Sequence, residues 1–173
     1  IKNGSIGKFI QFESMMSQTG SKADERYPIP PSSEIITALL LMNAVVDKGA
    51  SGAGKSQAEK ILAANAGLVS AGYAQVGVSK EVFERVAAEL LRAPSMVLAG
   101  NTAFDQNATM LQVAAILINE MIGAYGKTLF FDRGWMRNPV KAGDVARFME
   151  RAKNYDAVFF IDTNPVFTMP RTS

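Results

Sequence analysis

The pattern of apolar and polar positions predicts one strand and three helices in the first half of the chain. Residues 8–13 alternate apolar and polar side chains, which is typical of a strand with one buried face. Apolar residues at helical spacing predict a helix over residues 34–48, capped by the serines before it and ended by Gly49. Two more helices are expected over residues 55–64 and 80–92, and the small-residue stretch between them is expected to be irregular.

In the second half the pattern changes to three apolar strands joined by two helices. The strands are expected over residues 95–99, 127–131 and 157–161. The helices are expected over residues 107–122 and from Asp144 onward. Such a βαβαβ unit, with right-handed crossovers, predicts the α/β fold class. We therefore expect a single Rossmann-like, three-layer domain over residues 1–173, with a mostly parallel sheet and additional N-terminal helices.

Candidate binding residues follow from this predicted sheet, because ligands bind off the carboxyl ends of parallel strands. The glycine and the hydrogen-bonding side chains at two of these ends are the candidates: Gly100, Asn101, Thr102, Asp162, Thr163, Asn164 and Pro165. An ordinary turn between a strand and a helix favours the same residue types, so that interpretation stays open for both loops.

Residues 49–56, GASGAGKS, match the phosphate-binding loop pattern G-x-x-x-x-G-K-[ST]. In such a loop Lys55 would contact the outer phosphates and Ser56 would hold magnesium. A phosphate-binding loop must follow a buried strand, whereas the residues before Gly49 have helical spacing. The context therefore favours a connector between two helices over an NTPase site.

Composition excludes several functions. The 173 residues include no cysteine and no histidine, so the chain cannot build a His/Cys zinc site, ligate an iron–sulfur cluster or use a Ser–His or Cys–His pair. The net charge is +2 and the positive residues are scattered along the chain, so they form no basic stripe that would bind nucleic acid. The longest apolar run, residues 35–46, is too short to span a bilayer. No carboxylates are paired for acid–base catalysis, so no catalytic or metal-binding residue is assigned. Because the first residue is Ile1, we expect a fragment of a longer chain.

Several motifs resemble those of the molybdopterin oxidoreductase family. Residues 19–26, TGSKADER, followed by residues 28–35, PIPPSSEI, resemble a T-G-x-x-A-D element that leads to a proline-rich turn and a helix. Residues 97–102 with residues 119–127 resemble a strand–glycine–helix unit with an L-x-G-x-x-G-K ending, and residues 162–170 resemble a G-x-N-P-V-Y-T-x-P loop. The resemblance covers nearly the whole chain and is strongest to the large iron–sulfur subunit of alternative complex III, a quinol-oxidising respiratory complex.

The resemblance implies a dinucleotide-binding-type domain in an oxidoreductase subunit of a respiratory electron-transfer complex. It further implies 4Fe–4S clusters in the missing part of the chain, partner subunits around the domain, and a location on the periplasmic side of the bacterial inner membrane. The domain itself would have no membrane span. In members that hold molybdopterin guanine dinucleotide, the residues at 100–102 and 162–165 would line the cofactor.

The proline-rich turn departs from the pattern of cofactor-holding members. In those members it reads P-G-T-D, with a glycine that permits close backbone approach, whereas here Pro30 and Pro31 are followed by two serines. No molybdenum ligand can be assigned either. We therefore expect a cofactor-free scaffold, and a cofactor-holding domain is the alternative.

Overall fold

The structure is a computed structural model that describes residues 7–92, 94–100, 108–132 and 142–161. The chain forms two compact units, Ile1–Asp132 and Arg133–Ser173.

The first unit begins with two parallel strands, β1 (Ile10–Glu13) and β2 (Glu25–Pro28). Ile10 lies opposite Glu25, and Glu13 lies opposite Pro28. The strand predicted over residues 8–13 is therefore confirmed. β2 was not predicted, because its sequence, ERYP, has two charges and a proline rather than an alternating apolar pattern.

Five helices complete the described part of this unit: α1 (Glu34–Asp47), α2 (Lys55–Ala64), α3 (Ala66–Val76), α4 (Lys80–Arg92) and α5 (Ala108–Met121). Helix α1 is central, because it contacts each of the other four helices and its Leu40, Met42 and Val45 are fully buried. The predicted helices over residues 34–48, 55–64, 80–92 and 107–122 are confirmed to within a residue.

Helix α3 corrects the prediction that residues 66–77 are irregular. The helix ends at Gly77, which adopts a left-handed φ of 72° as helix-ending glycines commonly do. Gly72 packs against Ile36 and Leu40 of α1, where a Cβ would be only 2.9 Å from the Ile36 side chain. The small residues therefore allow close packing of two helices and do not mark a loop.

The α/β prediction is wrong, because the described residues are mostly helical and β1–β2 is the only sheet among them. Residues 95–100 pair with no strand, and both backbone polar groups of Val97 bind the Asn119 side chain instead. Residues 127–131 form a turn in which the N–H groups of Lys127, Thr128 and Leu129 all point to the Ala124 carbonyl. Val97 bonds a side chain on α5, and residues 127–131 bond within their own turn, so neither segment builds the ladder that a parallel sheet needs.

The second unit is described over residues 142–161. Helix α6 (Ala142–Arg151) is followed by a short 3-10 turn, and Phe148 stacks on Tyr155 with ring centroids 6.0 Å apart. The helix predicted from Asp144 is confirmed, although it begins two residues earlier and Asp144 pairs with Arg147 within it. The strand predicted over residues 157–161 is wrong: the segment pairs with no described strand and is exposed, and Phe159 and Ile161 each expose 85% of their surface. In neither unit is any described helix long and apolar enough to cross a membrane.

Candidate functional site

Of the predicted binding residues, the structure describes one. Gly100 is exposed, and its carbonyl accepts a hydrogen bond of 3.2 Å from Gln112 Nε2 on α5. Because the preceding segment joins no sheet, Gly100 does not lie at the end of a paired strand. The other candidates fall outside the described residues: Asn101, Thr102, Asp162, Thr163, Asn164 and Pro165. A binding role for all seven stays a prediction.

At the carboxyl end of β1 the structure places a cluster that we call the Glu13 cluster: Glu13, Ser17, Gly20 and Arg26. The Glu13 residue is 8% exposed, and its carboxylate accepts hydrogen bonds from Ser17 Oγ at 2.7 Å and Arg26 Nε at 2.6 Å. Ser17 Oγ in turn accepts a hydrogen bond of 2.9 Å from the Gly20 N–H. The Ser17 hydroxyl and then Arg26 hold the pKa of the Glu13 carboxyl below its usual value, so the group is ionised at neutral pH.

Gly20 is part of this cluster because it has no side chain. It is buried in a 3-10 turn, Gly20–Lys22, and a Cβ on it would overlap the Glu13 carboxylate. Thr19 and Gly20 belong to the T-G-x-x-A-D element. In this structure the Glu13 carboxylate therefore leaves no room for a side chain at the glycine of that element.

The Glu13 cluster is arranged to hold the chain together. The carboxylate is ionised and its oxygens already accept hydrogen bonds from a serine and an arginine, so it is poorly placed to act as a general base. Within the described ranges, no group of three or more acidic, histidine or cysteine side chains could hold a metal ion. The chemistry that this arrangement supports is a charged clamp between β1, β2 and the turn that connects them.

The proline-rich turn before α1 is also closed by its own hydrogen bonds. Ser33 donates from both its N–H and its Oγ to the Pro30 carbonyl, at 3.2 and 2.6 Å. The Ser33 side chain therefore does not cap α1, which corrects the expected serine cap. Ser32 adopts a left-handed φ of 62°, so the one backbone position in this turn that favours glycine is occupied by serine.

The segment that matches the phosphate-binding loop connects α1 to α2, as predicted from the helical spacing before it. Two of its glycines pack against the end of α5. A Cβ on Gly52 would be 3.0 Å from the Glu120 carbonyl oxygen, and a Cβ on Gly54 would be 3.0 Å from Glu120 Oε2. A carboxylate and the carbonyl end of a helix thus face the loop, and both would repel a phosphate. The geometry disfavours nucleotide binding here.

An ion-pair network that the sequence did not reveal joins β2 to α4. Arg85 donates to both carboxylate oxygens of Glu25, and Lys8 pairs with Glu25 and with Glu89. The Tyr27 hydroxyl donates to Glu25. Arg85, followed by Lys8, lowers the pKa of Glu25 to about 2, and Glu25 raises the pKa of Arg85. The pair Arg85 and Glu89 has the i, i+4 spacing of a helical ion pair, but nothing local indicates that Glu25, 60 residues away, completes it.

A shallow groove of about 370 Å³ lies between the helices and is lined in part by Asn43, Leu62, Val69, Tyr73 and Lys80. The Tyr73 hydroxyl oxygen is buried, and no described residue makes a hydrogen bond of good geometry to it, although the Asn43 side chain lies beside it. Burial raises the pKa of this hydroxyl, so it is neutral at physiological pH. An unpaired buried hydroxyl is a local cost in stability.

Comparisons with protein-family models, with curated proteins and with solved structures find no match for this chain. The resemblance to the molybdopterin oxidoreductases therefore rests on the sequence motifs alone.

Proposed function

We propose that this chain is a cofactor-free scaffold domain from an iron–sulfur subunit related to the molybdopterin oxidoreductases. The support is the order and spacing of the motifs at residues 19–35, 97–127 and 162–170. The domain would derive from the dinucleotide-binding-type domain of that family and belong to a membrane-associated respiratory complex on the periplasmic side. Electrons would pass through iron–sulfur clusters elsewhere in the protein. This domain would stabilise the structure of the subunit and provide packing surfaces for partner subunits.

The observation that carries the scaffold role is the Glu13 cluster. The T-G-x-x-A-D element supplies Gly20, which makes room for the Glu13 carboxylate, and the same turn places Ser17 on that carboxylate. The polar groups of the Glu13 cluster thus bind one segment of the chain to another. The turn at Pro30 to Ser33 is likewise closed on itself, which supports a structural role for the second element of the motif.

The alternative is a domain that retains molybdopterin guanine dinucleotide along the residues at 100–102 and 162–165. Metal analysis of the full-length natural protein, purified within its complex, separates the two. The scaffold role predicts iron in multiples of about four atoms per chain, as 4Fe–4S clusters require, and no molybdenum. Stoichiometric molybdenum would overturn the cofactor-free assignment, and a protein without iron would overturn the relationship to the family.

An NTPase that uses Lys55 and Ser56 is the other candidate, and its motif alone favours it. Calorimetric titration of the 173-residue chain with ATP and magnesium tests it, with Lys55→Ala as the critical variant. Lys60→Ala is a matched control, because Lys60 is an exposed lysine on the same helix. We expect no saturable binding to any of the three proteins. Magnesium-dependent binding that Lys55→Ala abolishes and Lys60→Ala preserves would replace the scaffold proposal with a nucleotide site.

A further inference from the structure

Within the part of the chain that the structure describes, the two-stranded sheet of the first unit has an unpaired edge on β1. The Phe9 carbonyl accepts from the Glu25 N–H, and the Glu13 carbonyl accepts from the Ile29 N–H, so the odd-numbered residues of β1 face β2. Because successive backbone groups of a strand point to opposite sides, Ile10 and Phe12 present their N–H and C=O groups to the other side. No described strand pairs with that side.

The opposite edge of the sheet, on β2, is blocked. Glu25 and Ile29 face β1, so Arg26 and Pro28 occupy the outer positions of β2. Proline has no N–H to donate, and it is a common means of preventing another strand from adding to an edge. β1 has no proline and no charged residue at its outward-facing positions, Ile10 and Phe12. Among the described residues, strand addition is therefore open only along β1.

We propose that β1 pairs in an antiparallel manner with β1 of a second copy of this chain. The register places Ile10 opposite Phe12 of the other copy and Gln11 opposite Gln11 on a two-fold axis. Ile10 and Phe12 then exchange backbone hydrogen bonds as two bonded pairs, and the Gln11 residues form the non-bonded pair between them. The two sheets become one continuous sheet with β2 at both outer edges.

Three features favour a second copy as the occupant. The cross-strand pairs of Ile10 with Phe12 join an aliphatic to an aromatic side chain, and both residues pack against the core of their own copy. In this register Lys8 faces Ser14 and Phe9 faces Glu13, so no like charges are directly opposed. Since Pro28 blocks the far edge of each copy, the assembly closes as a dimer and cannot grow into a fibre.

A cysteine at the two-fold axis tests the register directly, because the chain has no native cysteine. Residues opposed in a non-bonded antiparallel pair have Cβ atoms roughly 4.5 Å apart, within reach of a disulfide. Under mild oxidation Gln11→Cys is expected to form a covalent dimer on a non-reducing gel. Gln18→Cys, on an exposed loop residue, is the matched control and is expected to stay monomeric.

Charge substitution at the same position gives a second, reversible measurement. The unmodified chain is expected to sediment as a dimer at tens of micromolar. Gln11→Lys places two lysines opposite each other and is expected to weaken the dimer about tenfold, and Gln11→Glu is expected to do the same. An equimolar mixture of the two variants should recover dimerisation, whereas Gln18→Lys should leave it unchanged. A chain that stays monomeric at that concentration, or that dimerises equally well with Gln11→Lys, would overturn the proposal.

Discussion

The buried side chain of Asn119 on α5 binds both backbone polar groups of Val97. The Val97 N–H donates to Asn119 Oδ1 at 2.8 Å, and Asn119 Nδ2 donates to the Val97 carbonyl at 2.7 Å. Asn119 is 4% exposed, so these bonds are shielded from water. The side-chain amide makes the two hydrogen bonds that a neighbouring strand would make, and it holds segment 95–100 against the helix.

Replacing Asn119 with leucine, which has a similar volume, should destabilise the first unit by about 2–3 kcal/mol. Two hydrogen bonds of about 1 kcal/mol each are lost, and the Val97 groups are left unpaired. Gln112→Ala is the matched control, because it removes an exposed amide that binds the same segment at Gly100 and should cost less than about 0.5 kcal/mol. Urea denaturation measures both, and equal effects of the two variants would contradict a special role for Asn119.

This pair of residues also shows why the predicted sheet was wrong although every helix that was predicted is confirmed and only α3 was missed. Helices α1, α2 and α4 were predicted from the local spacing of apolar residues, and their bounds agree closely with the prediction. A short apolar run such as residues 95–99 is typical of a strand, but it does not indicate which groups will make hydrogen bonds to its backbone. Asn119 lies 22 residues from Val97, and no local pattern in the sequence links the two residues, so the sequence did not predict the hydrogen bond between them.

Prediction of the Glu13 cluster from the sequence meets a similar limit. Glu13 lies in the predicted strand over residues 8–13, and Gly20 and Arg26 lie in the T-G-x-x-A-D segment, but nothing in the sequence predicted that they meet. The hydrogen bond between Arg26 and Glu13 depends on the β1–β2 pairing. That pairing was not predictable from the sequence of β2, ERYP. The spacing of Ser17 four residues after Glu13 was the available local signal, since a serine can reach back to a carboxylate at that distance in a tight turn.

Gly20→Ala should destabilise the first unit by about 2 kcal/mol, because the added methyl overlaps the Glu13 carboxylate and overpacks a buried turn. Gly67→Ala is the control, and its expected effect on stability has the opposite sign. Gly67 lies in α3 with open space around it, so alanine should stabilise the helix by about 0.5 kcal/mol. Thermal and urea denaturation report both. If the clash is the cause, Gly20→Ala should cost little in a Glu13→Ala background, and full additivity of the two changes would refute this cause.

Two tyrosine-to-phenylalanine changes should have opposite signs. Tyr73→Phe removes a buried hydroxyl that makes no hydrogen bond of good geometry to a described residue, with only Asn43 beside it, and should stabilise the chain by about 1 kcal/mol. Tyr27→Phe removes a hydroxyl that donates to Glu25 and accepts from Arg85, and should destabilise it by about 1 kcal/mol. Denaturation midpoints at neutral pH compare the two variants with the parent. A loss of stability in Tyr73→Phe would show that the hydroxyl has a partner.

Stability should fall in acid through the titration of Glu25. Arg85 and Lys8 lower the pKa of this carboxyl from 4.5 to about 2, so its contribution is complete above pH 4.5, declines between pH 4.5 and 2, and is absent below. Arg85 and Lys8 are about 40% exposed, so solvent screening limits the contribution to about 1 kcal/mol. Glu25→Gln should flatten the decline over this range in urea denaturation, and should have a smaller effect in an Arg85→Met background. Equal acid sensitivity of the parent and Glu25→Gln would exclude Glu25 as the source of the pH dependence.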